Sequence, residues 1–481
     1  MKYITALMLA LGLTLTGCAV NPVSGEHDFT LVSESDEIEQ GRRYHQHIIA
    51  RYGIYEDPEL QQYVDRVGQE LARKSHRSHL DYSFTVLDTP EINAFALPGG
   101  YIYITRGIMA YLDSEAELAG VLGHEIGHVT ARHSVRQQSG QMASGILSIL
   151  LTAVTGQSAI GDISQQIGTG LVRGYGREHE LEADRLGAEY LHRTGYDPET
   201  MLEVIGVLKD QEVYETALAK KEGREPNTYH GVFSTHPRND DRLKTVVRAA
   251  KKLSSKTYRD NNQPVYHGLI EGMTWGPSPE QGIVKDNRFA HPELRFALQL
   301  PAGWRVRNNT DYLMARDMAS GAVVQIGVVS LDKNESLTDL LRRLTGDKEL
   351  DVSEEDYGVS TKTRVRPRGG DKQPARLSAI ALQDGYVLTL LGTATSDNFS
   401  ANDRKFVEIN QSFERLNQAQ VDAIEAPRLH IVSRDSHSFD SLAKQSAIEY
   451  DAESILRLLN RAFPSGEIRD LDKLKTVSFD D

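Results

Sequence analysis

One short run of the sequence, His124-Glu-Ile-Gly-His128, has residue types and a spacing that could bind a metal ion. Two histidines four residues apart on a helix project from the same face, so both imidazoles can reach one ion. Glu125 lies between them, and a carboxylate at that position can take a proton from the water that attacks a substrate. This combination is typical of a zinc-dependent hydrolase.

The flanking residues predict that this run lies on a helix from Ser114 to His133. Ser114 can cap the helix, Glu117 follows at capping-box spacing, and apolar residues recur at helical intervals, namely Leu118, Val121, Leu122, Ile126 and Val129. Metzincin proteases need a third histidine where this chain has Ser134, so that class is excluded. His133 misses the position by one residue, and we interpret it as a surface histidine or one that supports a ligand from behind.

A second helical segment, Arg177 to Leu191, offers acidic side chains as a third ligand: Glu178, Glu180, Glu182 and Asp184. The residues alone leave the choice open, because any carboxylate that faces the first helix would serve. Glu180 and Asp184 share a face with the small residues Ala183 and Gly187. Small residues let two helices approach closely, and this favours the pair Glu180 and Asp184.

Taken in order, the motifs resemble those of a zinc metallopeptidase family that includes HtpX, the CAAX prenyl endopeptidases and the periplasmic BepA-like and LoiP-like proteases. They are Asn93-Ala-Phe-Ala-Leu-Pro-Gly-Gly100, His124-Glu-Ile-Gly-His128, Glu180-Leu-Glu-Ala-Asp184 and Thr235-His-Pro237 followed by Arg242. The resemblance covers Asn21 to Leu253. It implies a mainly α-helical, zincin-type peptidase domain with a small β-sheet.

The resemblance also implies roles for individual residues. His124, His128 and Glu180 would bind one Zn²⁺ per chain, and Asp184 would orient a ligand histidine. Glu125 would act as the general base of a gluzincin-type endopeptidase. His236 and Arg242 would lie across the cleft and act on the charge that develops in the transition state.

Residues 1–17 are typical of a lipoprotein signal peptide, because Lys2 and an apolar run precede Leu15-Thr16-Gly17-Cys18, which resembles a bacterial lipobox. Cys18 would become the lipid-modified first residue, and Ala19 resembles an outer-membrane retention signal. We therefore expect an exported protein with a lipid anchor at the periplasmic face of the outer membrane. Cys18 is the only cysteine, so the metal site has to use histidine and carboxylate ligands.

Composition and charge exclude two classes of protein. With 39% hydrophobic and 25% charged residues, the chain has the composition of a globular protein of two or three domains rather than a multispan membrane protein. A formal net charge of −14 argues against a nucleic-acid partner.

The sequence predicts two further domains after a peptidase domain at 18–260. Residues 286–417 carry strand patterns that begin near 296, 323 and 386 and helix patterns at 337–344 and 404–416. They predict an α/β accessory domain without an identifiable chemical site. Residues 427–478 are similar to a LysM-like module of βααβ type, which would imply peptidoglycan binding. Because Ser436-His437-Ser438 stands where that family favours Gly-Asp-Thr, a module that packs against protein is the alternative. The chain shows no tandem helical repeats.

Two segments near the motifs carry expectations of their own. We interpret residues 140–170, whose single formal charge is Asp162, as a helical excursion or flap near the cleft, with a pair of buried core helices as the alternative. Asn93 to Leu97, Pro-Gly-Gly and Tyr101 to Thr105 predict a β-hairpin that leads to the motif helix. We expect the free edge of the Tyr101 to Thr105 strand to hold an extended peptide by β-addition.

Together these features predict a lipid-anchored periplasmic zinc endopeptidase. By resemblance, its substrates would be extended or unfolded proteins, and its role would be quality control of misfolded or misassembled envelope proteins. The alternative is a metal-binding envelope assembly factor or holdase that binds its partners through the two C-terminal domains and has little proteolytic activity.

Overall fold

The computed structural model describes residues 18–30, 32–139, 176–222, 224–226, 252–253, 255, 257–308, 312–366, 372–383, 385–433, 438–466 and 473–480. The chain forms two compact units. The first combines Met1–Met273 with Arg428–Ser478, and the second comprises Thr274–Pro427 with Phe479–Asp481. None of the helices in this described part has the length and apolar character needed to cross a bilayer.

The first unit begins with a two-stranded sheet and two amphipathic helices. Strands Cys18–Val20 and His27–Phe29 pair antiparallel, and helices Glu34–Tyr52 and Pro58–Ala72 follow. Asp57 caps the second helix by accepting a hydrogen bond from the Leu60 amide. That helix buries an apolar stripe that consists of Leu60, Tyr63, Val64, Val67 and Leu71.

A three-stranded sheet follows, in the order Ser83–Leu87, Tyr101–Thr105, Ala94–Leu97. The first two strands pair in parallel and the last two form the predicted hairpin, whose turn places Gly99 and Gly100 at φ values of 82° and 99° that glycine adopts without strain. Tyr101–Thr105 is therefore the central strand. The expectation that its edge holds a substrate is wrong, because its backbone groups pair with a neighbour on each side.

The metal helix, Glu115–Thr130, is buried at every residue and carries the histidine pair. It packs against the carboxylate helix, Arg177–Arg193. A Cβ on Gly127 would lie 3.0 Å from the carbonyl oxygen of Ala183, and a Cβ on Gly187 would lie 3.1 Å from the His124 nitrogen. The close approach predicted from the small residues is confirmed. Further helices of the unit are Arg106–Met109, residues 133–139, Thr200–Lys221 and Gln263–Ile270.

The C-terminal segment, Arg428–Ser478, belongs to the same compact unit as the metal helix and the carboxylate helix. It consists of strand Arg428–Ser433, helices Phe439–Gln445 and Ala452–Leu459, and strand Lys473–Ser478. The two strands pair antiparallel, so the predicted order of strand, helix, helix and strand is observed. The identity of the segment as a LysM-like module stays a prediction, as do the boundaries 18–260, 286–417 and 427–478.

The second unit is built on two antiparallel sheets. The larger has the strand order Ser353–Glu355, Gly358–Val365, Gln373–Ala381, Tyr386–Thr393, Val323–Ser330, Leu313–Arg316, Arg305–Asn308, and the smaller has the order Glu414–Arg415, Phe296–Gln299, Arg288–His291, Ile283–Lys285. Its helices are Leu337–Thr345, Ser396–Gln411 and Gln418–Asp422, with a 3₁₀ turn at Pro279–Gln281. The strands predicted near 296, 323 and 386 are confirmed. The helix expected at 404–416 begins and ends earlier.

Candidate metal centre

Three buried side chains from two helices converge on one point. The Nε2 atoms of His124 and His128 lie 3.0 Å apart. From the facing helix, the carboxylate of Glu180 lies 3.6 Å from Nε2 of His124 and 3.5 Å from Nε2 of His128. Within the described residues this is the group whose donor atoms could hold a metal ion.

The donor set fits zinc. A tetrahedral Zn²⁺ with ligand bonds of about 2.0–2.2 Å holds its donor atoms about 3.3–3.6 Å from each other, close to the separations of 3.0, 3.6 and 3.5 Å found here. Two imidazoles and one carboxylate supply three ligands and leave a fourth position for water or substrate, the arrangement of catalytic rather than structural zinc sites.

Asp184 lies behind the first histidine. Its Oδ1 is 2.9 Å from Nδ1 of His124, and its side chain is fully buried. A carboxylate beside Nδ1 favours a proton there, which leaves Nε2 with its lone pair directed toward the metal position. Asp184 is thus placed where the resemblance implied.

A second set of contacts, which connects His133 and Glu182, lies behind His128. Nδ1 of His128 is 2.8 Å from Nδ1 of His133, and Nε2 of His133 is 3.1 Å from Oε2 of Glu182, which also accepts a hydrogen bond from Arg136 at 2.9 Å. The ring of His133 stacks on His179, with centroids 4.3 Å apart. The imidazole of His133 is completely buried.

The charges of Glu182 and His133 follow from their surroundings. The hydrogen bond from His133, together with that from Arg136, holds the pKa of Glu182 at about 2 although burial opposes the shift. Burial lowers the pKa of His133 to about 4. At neutral pH a neutral imidazole therefore faces an ionised carboxylate.

The sequence offered Glu182 only as one of four candidate third ligands, and it left His133 between two roles. His133 follows the end of the metal helix at Thr130, so the helical period does not predict its direction. The backbone turns at Arg132, where φ is 54°, and this turn brings His133 back beneath His128. The spacing of charged and aromatic residues in the sequence did not predict this position of His133.

The remaining predicted residues are placed as follows. Glu125 is buried, 1% exposed, between the histidines on the metal helix, and Glu178 is exposed at the start of the carboxylate helix. Cys18 lies at the start of strand Cys18–Val20. His236, Arg242, residues 1–17 and residues 140–170 lie outside the described residues.

The metal helix is fixed at its N-terminus by polar contacts. Ser114 caps it by accepting a hydrogen bond from the Glu117 amide, as predicted. The side chain of Glu117 reaches one residue further back than a capping box requires and accepts from the Asp113 amide at 2.8 Å.

Glu115, in the first turn, forms a buried hub that the sequence did not reveal. Its carboxylate accepts hydrogen bonds of 2.7 to 2.9 Å from side chains of three separate stretches of the chain, Tyr63, Arg66, Tyr196, Arg259 and Asn262. The position of the metal helix is thereby tied to the elements around it.

Comparison with known proteins agrees with this geometry. Residues 58–250 match the sequence profile of Peptidase family M48. The chain is 30% identical over 242 residues to the beta-barrel assembly-enhancing protease of Escherichia coli strain K12, and 32% identical over 232 residues to that of Yersinia pestis. It is 30% identical over 197 residues to the mitochondrial metalloendopeptidase OMA1 of Arabidopsis thaliana.

The matches extend over part of each chain. They cover 48%, 46% and 41% of this chain and 47%, 45% and 37% of the three relatives, so the chain spans about half the length of the curated relatives it matches. The resemblance inferred from the motifs and the choice of zinc as the metal are both confirmed.

Proposed function

Because residues 58–250 match the profile of Peptidase family M48, we propose that this protein is a zinc endopeptidase. The observation that carries the proposal is the buried convergence of His124, His128 and Glu180 beside Glu125. When bound there, zinc polarises the carbonyl of a peptide bond and makes a coordinated water more acidic.

The residues of the chain perform the proton transfers and hold the geometry. The carboxylate of Glu125 takes a proton from the attacking water and passes it to the leaving amine. Asp184 holds the ring of His124 in one orientation. By family resemblance, His236 and Arg242 supply positive charge to the oxyanion that develops on the substrate carbonyl.

The substrate binds in extended form along the edge strand Ala94–Leu97. This strand packs against the metal helix, and a small cavity between them is lined by Ala96, Leu97 and Pro98 on one side and by His128 and Val129 on the other. A peptide that pairs with this edge would run past the metal position, since β-addition uses backbone hydrogen bonds and leaves sequence preference to the side-chain pockets.

The protein acts in the cell envelope. The lipobox-like Leu15-Thr16-Gly17-Cys18 supports export and a lipid anchor at the periplasmic face of the outer membrane. The relatives named beta-barrel assembly-enhancing protease support misfolded or misassembled envelope proteins as the substrates, and hence a quality-control role.

Glu125→Gln tests the catalytic proposal. The amide cannot accept the proton of the attacking water, so casein hydrolysis should fall at least ~10²-fold while zinc content stays unchanged. Glu178→Gln, at an exposed site on the carboxylate helix, is the control and should digest casein at the wild-type rate. A chelator should stop digestion by both the wild type and this control. A purified Glu125→Gln protein that digests casein normally would remove Glu125 from this role.

Cys18→Ala tests the anchor. The variant should take up no labelled palmitate and should leave the membrane fraction, with its peptidase activity intact, because the thiol that carries the lipid is absent. Growth with labelled palmitate followed by fractionation compares the variant with the wild type. Wild-type protein that is unlabelled and soluble would contradict the lipoprotein assignment.

A further inference from the structure

Each histidine of the metal centre has a different partner on its Nδ1 side. His124 faces a carboxylate, Asp184, at 2.9 Å. His128 instead faces another imidazole, that of His133, at 2.8 Å. The proposed function uses the first of these contacts and leaves the second without a task.

The hydrogen-bond chemistry of the second contact has one consistent direction. A His128 that binds a metal through Nε2 carries its proton on Nδ1, so Nδ1 of His133, which lies 2.8 Å away, accepts that proton's hydrogen bond. The proton of the His133 ring then lies on Nε2, which donates to Oε2 of Glu182 across 3.1 Å. The Nε2 of His128 is left without a proton and faces Glu180 and His124.

Burial and charge hold His133 and Glu182 in place behind His128. His133 is fully buried between His128 and His179, and the Glu182 side chain, 16% exposed, is also held by Arg136. The ion pair with Arg136 fixes the carboxylate even when the contact with His133 is lost.

We propose that His133, held by Glu182, is the positioning residue for the zinc ligand His128, as Asp184 is for His124. It fixes the tautomer and the ring orientation of His128, and it raises the basicity of the nitrogen that binds the metal. The inference rests on the proposed metal site, and it also predicts which atom of His133 matters.

Two near-isosteric substitutions separate positioning from packing. The amide of Asn ends near the place of an imidazole Nδ1, whereas the longer Gln ends near that of Nε2. His133→Asn therefore keeps an acceptor for His128 and loses the contact with Glu182, and His133→Gln does the reverse. A residue that merely fills space would not distinguish them.

The experiment measures metal binding rather than proteolysis. Zinc affinity of each purified full-length variant is measured by competition with a chromogenic chelator, and the visible spectrum of the Co²⁺-loaded protein reports the ligand field. His133→Leu should weaken zinc binding ~10- to 100-fold and alter the Co²⁺ bands. His133→Asn should restore most of the affinity and the wild-type bands, and His133→Gln should not.

Glu182→Ala provides a second route that leaves the buried ring in place. It should weaken zinc binding, whereas the control Glu189→Ala, which removes an acid of the same helix that pairs with Arg193, should not. This pair decides the matter if His133→Leu does not fold.

The inference is overturned if folded His133→Leu binds zinc as the wild type does, if Gln restores affinity as well as Asn, or if Glu182→Ala and Glu189→Ala bind zinc equally. Wild-type protein that binds no zinc would overturn it together with the proposed function. Wild-type protein that binds zinc but leaves casein intact would overturn the proposed function alone, since the affinity comparison supports or refutes the role of His133 without proteolysis.

Discussion

At the scale of single residues, the carboxylate helix shows how position divides acids of similar chemistry among different tasks. Glu180 and Asp184 are fully buried one turn apart, and they reach opposite nitrogens of the imidazoles. Glu182 points away from the metal position and contacts His133, while Glu178 is exposed. The direction in which the helix projects each side chain therefore decides whether the acid can bind the metal, orient a ligand or hold His133.

Glu180→Ala should remove one of three protein ligands and weaken zinc binding so far that the ion is lost during purification. Thermal stability should fall as well, because two buried imidazoles lose their shared metal. Asp184→Ala should be milder, with a loss of ~10- to 100-fold in affinity or activity. Glu178→Ala is the matched control and should keep one zinc per chain. Metal analysis of the purified variants checks the order. Zinc loss in Glu178→Ala with retention in Glu180→Ala would put the ligand assignment out of register.

At the scale of elements, the metal helix depends on a carboxylate at its N-terminus. Hydrogen bonds from Tyr196, Tyr63 and Arg66 lower the pKa of Glu115 to about 2, although burial acts in the opposite direction. The partial positive charge of the helix N-terminus also favours an anion there. Glu115 connects the metal helix to three stretches of the first unit, so its ionisation affects the stability of the whole site.

The depressed pKa gives a pH-dependent stability with a defined sign. An unfolded Glu has a pKa near 4.5, so the contribution of Glu115 is complete above that pH and is lost as the pH falls from 4.5 towards 2. Glu115→Gln should therefore lower the unfolding temperature most at pH 7, and the difference from wild type should shrink below pH 4.5.

Far-UV circular dichroism at several pH values measures this difference. The control is Glu59→Gln, at an exposed acid in the first turn of helix Pro58–Ala72, and it should change the unfolding temperature little at any pH. A Glu115→Gln deficit that stayed constant from pH 7 to pH 3 would show that packing, rather than the charge, carries the effect.

At the scale of the whole molecule, the C-terminal segment Arg428–Ser478 is part of the same unit as the metal helix. Lys475 is 2% exposed, and its ammonium donates to the carbonyl oxygens of Ala110 and Leu112 just before the metal helix and lies 3.5 Å from Asp113. Arg461 pairs with Glu117 on the metal helix and with Glu203. Residues far apart in sequence thus supply the charges at the start of that helix.

The charges at this contact depend on one another. Burial lowers the pKa of Lys475 while the carboxylates of Asp113 and Glu117 oppose the shift. Burial raises the pKa of Asp113, but the hydrogen bond with His267 and the charge of Lys475 outweigh this effect and lower the pKa to about 2. An ammonium that is buried and paired in this way is costly to remove, because its partners stay buried without it.

Lys475→Met should lower the free energy of unfolding of the first unit by about 3 kcal/mol, the size expected when one partner of a buried pair is deleted. Lys473→Met, at an exposed lysine on the same strand, is the matched control and should be nearly neutral. Urea denaturation followed by far-UV circular dichroism measures both. Tryptophan fluorescence is unsuitable, since Trp275 and Trp304 both lie in the second unit. Equal midpoints for the two variants would contradict a structural role of the segment in the first unit.

The sequence by itself determined the local features of this protein. Capping residues, apolar periodicity and small residues predicted the metal helix, the carboxylate helix and the hairpin, because these signals act within a few residues. The spacing of His124 and His128 predicted their convergence for the same reason. Family resemblance selected Glu180, which the residues alone had left as one of several acids.

The tertiary structure decided what depends on contacts between distant stretches. It placed Tyr101–Thr105 in the centre of its sheet, brought His133 and Glu182 behind His128, gathered side chains around Glu115, and set Lys475 against Ala110 and Leu112. Buried polar groups need partners, but the periodicity of the chain carries no information about which distant residue supplies them. Only the folded backbone makes that choice, and here it determines how the metal site is held.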